Sequence, residues 1–168
     1  QYHMALYEFL AELNYMHCAI LKKRQIASSY YHAAKLINLI WFEQTPILKI
    51  GASLKGYVLD TWKFLAEYKN FLDLNTAWYR DMNPGKPLDW MQQIETTIQG
   101  SNRKTMAGLK GVLKGTSFEK DPTAGVGGHC TFFFHEEGGI APHADKTFGY
   151  MMPALHSGLI TTGVFAIA

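Results

Sequence analysis

The residues best suited to chemistry are histidines near the carboxyl-terminal end of the chain. Four of the seven histidines fall within a 28-residue stretch, together with the carboxylate of one aspartate. Imidazole and carboxylate groups are the ligands that zinc, iron and copper take in proteins. The sequence therefore predicts, as one hypothesis, a transition-metal site with these candidate ligands: His129, His135, His143, Asp145 and His156.

Three of these residues are the best placed to share a metal. His143 and Asp145 are two positions apart and would point to one side of an extended segment. With His156 they supply two imidazoles and one carboxylate, the set that non-haem iron enzymes use. His129 or His135 would complete the shell, but a strand between them would hold them about 20 Å apart, so both could contribute only through a turn.

Other catalytic signatures are absent from the sequence. It contains no GxSxG, no GxxxxGK[ST] and no HExxH motif. Glu136 and Glu137, followed by two glycines, are typical of an exposed turn that leaves a buried strand. No catalytic residue and no organic cofactor is assigned on these grounds.

The elements that must position such residues divide the chain into two regions. Twelve of the 15 glycines lie in residues 100–168, and all four tryptophans lie in residues 1–99. Glycine inside a helix costs about 1 kcal/mol relative to alanine, so long helices belong to the first region. We expect a mainly α fold, with a helical body over 1–115 and a Gly-rich region of short strands and loops over 116–168. The two regions would form one domain, and an α+β fold is the alternative.

Apolar residues spaced three or four positions apart predict four or five packed helices. Lys22, Lys23 and Arg24 would either lie at the negative end of the first helix dipole or continue that helix. Ser28 or Ser29 would cap the second helix, which would stop before Pro46. The predicted helices cover about 3–24, 28–41, 54–80, 88–99 and 102–115.

The last of these segments is basic and amphipathic. Arg103, Lys110 and Lys114 share one face, with no acidic residue between them. Such a segment binds an anionic membrane surface or an acidic partner helix, or is the solvated face of an ordinary helix.

The tail carries no charged residue after Lys146, a run of 22 residues. Three interpretations are open: a buried terminal strand pair packed on the helices, an interfacial or re-entrant membrane segment, and the start of a membrane span. The chain begins with Gln1 rather than Met, which suggests a processed or trimmed end and leaves a membrane-adjacent or organellar location open.

Charge and cysteine content narrow the function. A net charge of +2 argues against nucleic acid as a partner, and two distant cysteines argue against a disulfide scaffold. Few charges and many aromatic residues favour a chain that packs against other subunits or copies of itself. We therefore expect a non-catalytic structural or assembly subunit of a larger complex, with a membrane as a candidate location. The alternative is a metal-binding protein or metalloenzyme that uses zinc, iron or copper in the histidine cluster.

Overall fold

The computed structural model describes residues 2–22, 27–42, 47–75, 80–81, 94–97 and 111–168. Four α-helices are found there: α1 (Tyr2–Leu13), α2 (Ser28–Phe42), α3 (Lys55–Asn75) and α4 (Ala144–Met151). Nine strands accompany them: β1 (Cys18–Ala19), β2 (Ile47–Ala52), β3 (Arg80–Asp81), β4 (Ile94–Thr97), β5 (Gly111–Ser117), β6 (Phe132–Glu136), β7 (His156–Ser157), β8 (Ile160–Thr161) and β9 (Val164–Ile167).

Seven of these strands form one sheet in the order β1-β9-β6-β2-β5-β4-β3. The first five are parallel, and β4 and β3 extend the sheet in antiparallel fashion. Strands from both predicted regions, 1–115 and 116–168, therefore take part in it. β7 and β8 form a separate two-stranded hairpin.

The central strands are apolar on both faces because both faces are covered. Residues 48–52 of β2 and all of β6 are buried, as expected for parallel strands between helical layers. On one face Ile50 and Phe134 pack against α2 and α3, and on the other Phe133 and Phe165 pack against Met151 at the end of α4. Alternation along β6 therefore directs neighbouring residues into two different layers.

The prediction of a mainly α fold is wrong, since the chain forms an α/β fold around a parallel sheet. The segments predicted to be helical over 88–99 and 102–115 contain β4 and the start of β5 where the structure describes them. Leu113, inside the segment predicted to be helical over 102–115, is buried in β5 and pairs in register with Leu48 of β2. Pairing with β2 outweighs the weak local helix signal.

The predictions for the earlier helices are closer to the structure. α2 and α3 occupy the segments predicted over 28–41 and 54–80. The first helix ends at Leu13 instead of continuing to Arg24. Tyr15 then adopts a left-handed backbone with φ of 52°, and the chain turns into β1.

The uncharged tail supplies part of the sheet. Val164, Phe165 and Ala166 of β9 are buried between β1 and β6, so the tail's apolar residues serve the core. The expectation of membrane association is accordingly wrong. Of the basic residues invoked for a membrane surface, Lys114 is exposed on β5, while Arg103 and Lys110 lie outside the described residues.

None of the helices in the described part of the chain combines the length and apolar character needed to cross a bilayer.

His135 is an unusual member of the core. Its side chain is fully buried, it stacks near Phe118 and Phe165, and neither ring nitrogen has a hydrogen-bond partner among the described residues. Burial lowers the pKa of His135 to about 4, so the ring is neutral at neutral pH. The His135 ring therefore packs like an aromatic side chain, although its Nδ1 and Nε2 atoms have no hydrogen-bond partner among the described residues.

We expect folding stability to fall in acid because of this residue. Unfolded histidine takes up a proton near pH 6.5, whereas His135 in the folded chain resists protonation until about pH 4. The free energy of unfolding should therefore fall by about 2 kcal/mol between pH 8 and pH 5 through this residue alone. Chemical denaturation at both pH values tests this.

The variant His135→Phe should remove that loss and stabilise the fold at both pH values, since no polar nitrogen is left unpaired. His129→Phe, the same change at an exposed histidine, is the control and should leave the pH dependence as it is. Equal pH dependence in His135→Phe and the wild type would contradict the assignment.

Candidate functional site

A cavity of about 570 Å³ lies at the carboxyl-terminal edge of the parallel sheet. The ends of β1, β6 and β9 and the first turn of α2 border it, and Phe64 of α3 closes one side. Parallel α/β sheets place ligand sites at this edge, because the turns after the strands converge there. A volume between about 300 and 1,000 Å³ suits a small organic ligand.

The centre of the site is an ion pair between residues far apart in sequence. Lys22 follows β1, and its Nζ lies 3.1 Å from Oε1 of Glu136 and 3.3 Å from Oε1 of Glu137. The Glu136 carboxylate is almost fully buried, with 4% of its side chain exposed, whereas Glu137 is 39% exposed. Glu136 is therefore fixed in the protein, and Glu137 is accessible from the cavity.

Two hydroxyl groups complete the surroundings of Glu136. Ser29, in the first turn of α2, donates from Oγ to Oε1 at 2.9 Å, and Thr61 of α3 donates from Oγ1 to Oε2 at 3.3 Å. A buried carboxylate needs such partners. A charged group that is removed from water without a partner destabilises the fold by several kcal/mol, about as much as breaking a buried ion pair. Glu136 thus ties the start of α2 and the middle of α3 to the end of β6.

The two carboxylates also control the charge of Lys22. Burial by itself would lower the pKa of this amine, but the adjacent Glu136 and Glu137 outweigh burial and raise it above its ordinary value. Lys22 is therefore a fixed cation at the cavity wall.

The backbone after β6 has a sharp turn that presents Glu137. Glu137 lies in the left-handed region with φ of 51°, which is uncommon for a residue with a side chain and recurs at functional sites. The flanking backbone holds it there: Gly138 donates from N to the carbonyl oxygen of Ala168 at 2.8 Å, and Ala168 donates to that of His135 at 3.1 Å. A side chain at Gly138 would collide with Ile167.

This donor set fits phosphate and a hard divalent cation. A lysine after a strand and the start of the next helix together attract phosphate oxygens. A serine hydroxyl beside a carboxylate resembles the protein ligands that Mg²⁺ takes in nucleotide sites, where phosphates and water fill the remaining positions. Residues 23–26 of the connecting loop lie outside the described residues.

The predicted metal ligands are dispersed in the structure. His135 is in the core on β6, and His143 and Asp145 are exposed at the start of α4. His129 and His156 line a shared depression with Pro153, Ser157 and Thr162. Within the described ranges, no three His, Cys, Asp or Glu residues are grouped so that they could hold a metal ion. The transition-metal set stays a prediction that this arrangement does not favour.

Sequence reasoning missed the residues of the cavity. Glu136 was interpreted as part of an exposed turn, and Lys22 as the end of a helix. The useful signal was a basic run between a short apolar segment and a helix that begins with two serines, combined with a buried strand that ends at Glu136 and is followed by Glu137. The segment between Lys22 and Ser29 contains no glycine, so it does not match the GxxxxGK[ST] motif.

No protein-family model matches this chain, and no curated protein matches it in sequence. Solved structures do match in fold. The ATPase domain of the Thermus phage P74-26 large terminase aligns with 90% of this chain and 57% of its own, with a TM-score of 0.63 and 12% identity. The HK97 bacteriophage large terminase aligns with 95% of this chain and 31% of its own, with a TM-score of 0.61 and 12% identity.

The Phi-28 gp11 DNA packaging motor aligns at a TM-score of 0.49 with 8% identity, a likeness too weak to carry an argument. The chain thus spans little more than half of the terminase ATPase domain and under a third of the HK97 protein. At these identities the likeness establishes the fold.

These neighbours correct two expectations. The prediction of a non-catalytic assembly subunit is contradicted, because the fold is shared with ATPase domains. The exclusion of nucleic acid as a partner is contradicted because these neighbours are phage large terminases. Net charge averages over the whole chain and does not report a local surface, so it does not exclude this partner class.

The ion pair at the cavity predicts a measurable change in Lys22. In Glu136→Gln the neutral amide no longer stabilises the ammonium group, so the pKa of Lys22 should fall. Side-chain NMR of labelled lysine between pH 8 and pH 12 measures it. Glu67→Gln, an exposed position on α3, is the control; an unchanged Lys22 pKa in Glu136→Gln would contradict the geometry.

Proposed function

We propose that this chain is the nucleotide-binding part of a terminase-type ATPase, which hydrolyses ATP or another nucleoside triphosphate. The observation that carries the proposal is that Lys22, Ser29 and Glu137 line one cavity, while the buried Glu136 contacts both Lys22 and Ser29, in a fold shared with ATPase domains. The structural likeness supports the fold, and the site geometry supports the chemistry.

Lys22 and the start of α2 would bind the phosphate groups. Lys22 is a fixed cation on the cavity wall, and the 15-residue α2 begins at Ser28 with its positive dipole end toward the same edge. Both would donate hydrogen bonds to phosphate oxygens, and a bound divalent cation would offset the charge of the two carboxylates beside Lys22. The partly buried apolar residues of the lining, which include Ile20 and Ile167, would limit the access of water to the bound phosphates.

Ser29 and Glu136 would hold Mg²⁺ by one hydroxyl and one carboxylate oxygen. Bound there, the ion would neutralise phosphate charge as that charge shifts to the leaving oxygen. Glu136 also orients Ser29 by accepting its hydrogen bond at 2.9 Å. Thr61, on the other carboxylate oxygen, fixes the orientation of Glu136 itself.

Glu137 would act as the general base. It is the more accessible of the two acids, and the left-handed turn presents it at the cavity. A water oxygen would bond to the terminal phosphorus while the bond from that phosphorus to the bridging oxygen breaks. Glu137 would take the proton that the water loses, and the departing diphosphate would keep the bond's electron pair.

We propose nucleic acid as the partner of this chain, since the solved structures that share its fold are phage large terminases. Its test is whether double-stranded DNA raises the rate of ATP hydrolysis.

Glu137→Gln should bind ATP with Mg²⁺ but hydrolyse it at least about 100-fold more slowly, because a positioned base contributes about 10²- to 10⁴-fold. Phosphate release measures turnover, and a fluorescent ATP analogue measures binding. Glu67→Gln should match the wild type.

Ser29→Ala gives a second test. The variant loses one metal ligand, so the Mg²⁺ concentration for half-maximal rate should rise. A wild-type chain that neither binds nor hydrolyses ATP would overturn the proposed function.

A further inference from the structure

A buried cluster of charged residues lies between α1 and α2, outside the cavity lining. Glu8 and His32 are both completely buried, and Nε2 of His32 lies 3.2 Å from Oε1 of Glu8. Lys35 lies 3.1 Å from the same oxygen and also pairs with Glu12. The proposed chemistry uses none of these four side chains.

His32 connects this cluster to the start of α2. Its Nδ1 lies 2.9 Å from the carbonyl oxygen of Ser28 and 3.3 Å from the Ser28 hydroxyl. Ser28 is the first residue of α2 and is covalently joined to Ser29, whose hydroxyl contacts Glu136. The ring therefore restrains the backbone one residue from the proposed metal ligand.

The same ring also contacts the strand that carries the acids. His32 stacks on Phe134 with ring centroids 3.9 Å apart and planes 11° apart. Phe134 lies two residues before Glu136 on the same face of β6. One imidazole thus contacts both Ser28, the chain neighbour of Ser29, and Phe134, which lies two residues before Glu136.

Glu8 is held as a carboxylate in this buried place. Burial alone would raise its pKa, but His32 and Lys35 outweigh burial and lower it below its ordinary value. Glu12 differs, since burial dominates and raises its pKa. Glu12 shares the partner Lys35 with Glu8, but among the described residues it forms no ion pair or hydrogen bond with His32, and its charge acts on His32 only at longer range.

A buried ion pair is weak grounds for a stabilising role. Replacing such a pair with apolar residues often leaves stability unchanged or raises it. Such pairs are better suited to fix the direction of a side chain, and groups behind metal ligands act in this way.

We propose that Glu8 and His32 are positioning residues of the phosphate and metal end of the site. Glu8 orients the His32 ring, the ring fixes the Ser28 carbonyl and packs on Phe134, and Ser29 is thereby held against Glu136. This proposal rests on the proposed nucleotide hydrolysis at that site.

The test compares Glu8→Gln with Glu12→Gln in the full chain, with ATP and Mg²⁺ as the probe. Both variants lose an ion pair with Lys35, but only Glu8→Gln loses the charge that faces His32. In Glu8→Gln the half-saturating Mg²⁺ concentration should rise about tenfold or more, and excess Mg²⁺ should restore much of kcat. Glu12→Gln should stay within about twofold of the wild type, on the scale of a partly exposed pair.

Glu8→Asp keeps the charge on a shorter side chain and should fall between the wild type and Glu8→Gln; it also serves if Glu8→Gln does not fold. Thermal unfolding of each variant separates stability from Mg²⁺ dependence. If Glu8→Gln and Glu12→Gln require the same Mg²⁺ concentration, the positioning role is overturned. If only Glu8→Asp folds, an Mg²⁺ requirement equal to that of the wild type overturns it. A wild type inactive toward ATP would instead overturn the proposed function on which it rests.

Discussion

The parallel pairing of β1, β9, β6 and β2 is the constraint on which the rest of the structure depends. Parallel strands bring all their carboxyl ends to one edge, and the turns that follow them must share that space. Lys22 and Glu136 are separated by 114 residues. Lys22 nevertheless lies shortly after the end of β1, and Glu136 is the last residue of β6. The cavity, the ion pair and the contact between α2 and β6 are all consequences of strand direction.

Alternation along β6 divides its residues between two environments. Phe134 and Glu136 face the layer of α2 and α3, where hydroxyl groups and Lys22 compensate the buried charge. Phe133 and His135 face an aromatic layer without such partners, so His135 stays neutral. The same strand therefore carries a fixed carboxylate and an uncharged imidazole at adjacent positions, because each position has a different set of neighbours.

Local pattern was a sound guide where one element could be identified by its own residues. The serines that begin α2 and the apolar spacing along α3 placed both helices, and β6 lies where a strand was expected between His129 and His135. Local pattern failed for β5, because Leu113 fits the apolar face of a helix and a buried strand equally well. The choice between them depends on a neighbouring strand more than 60 residues earlier in the chain, and periodicity within a short window does not contain it.

The sequence by itself determined which segments are apolar enough to be buried, where α2 begins and that the tail carries no charge. Only the tertiary structure decided that the tail forms a strand of the central sheet, that Glu136 is buried and that Lys22 lies beside it. Burial of a charged group depends on partners that reach it in space. Those partners come from β1, α2 and α3, and the direction of the strands brings them together.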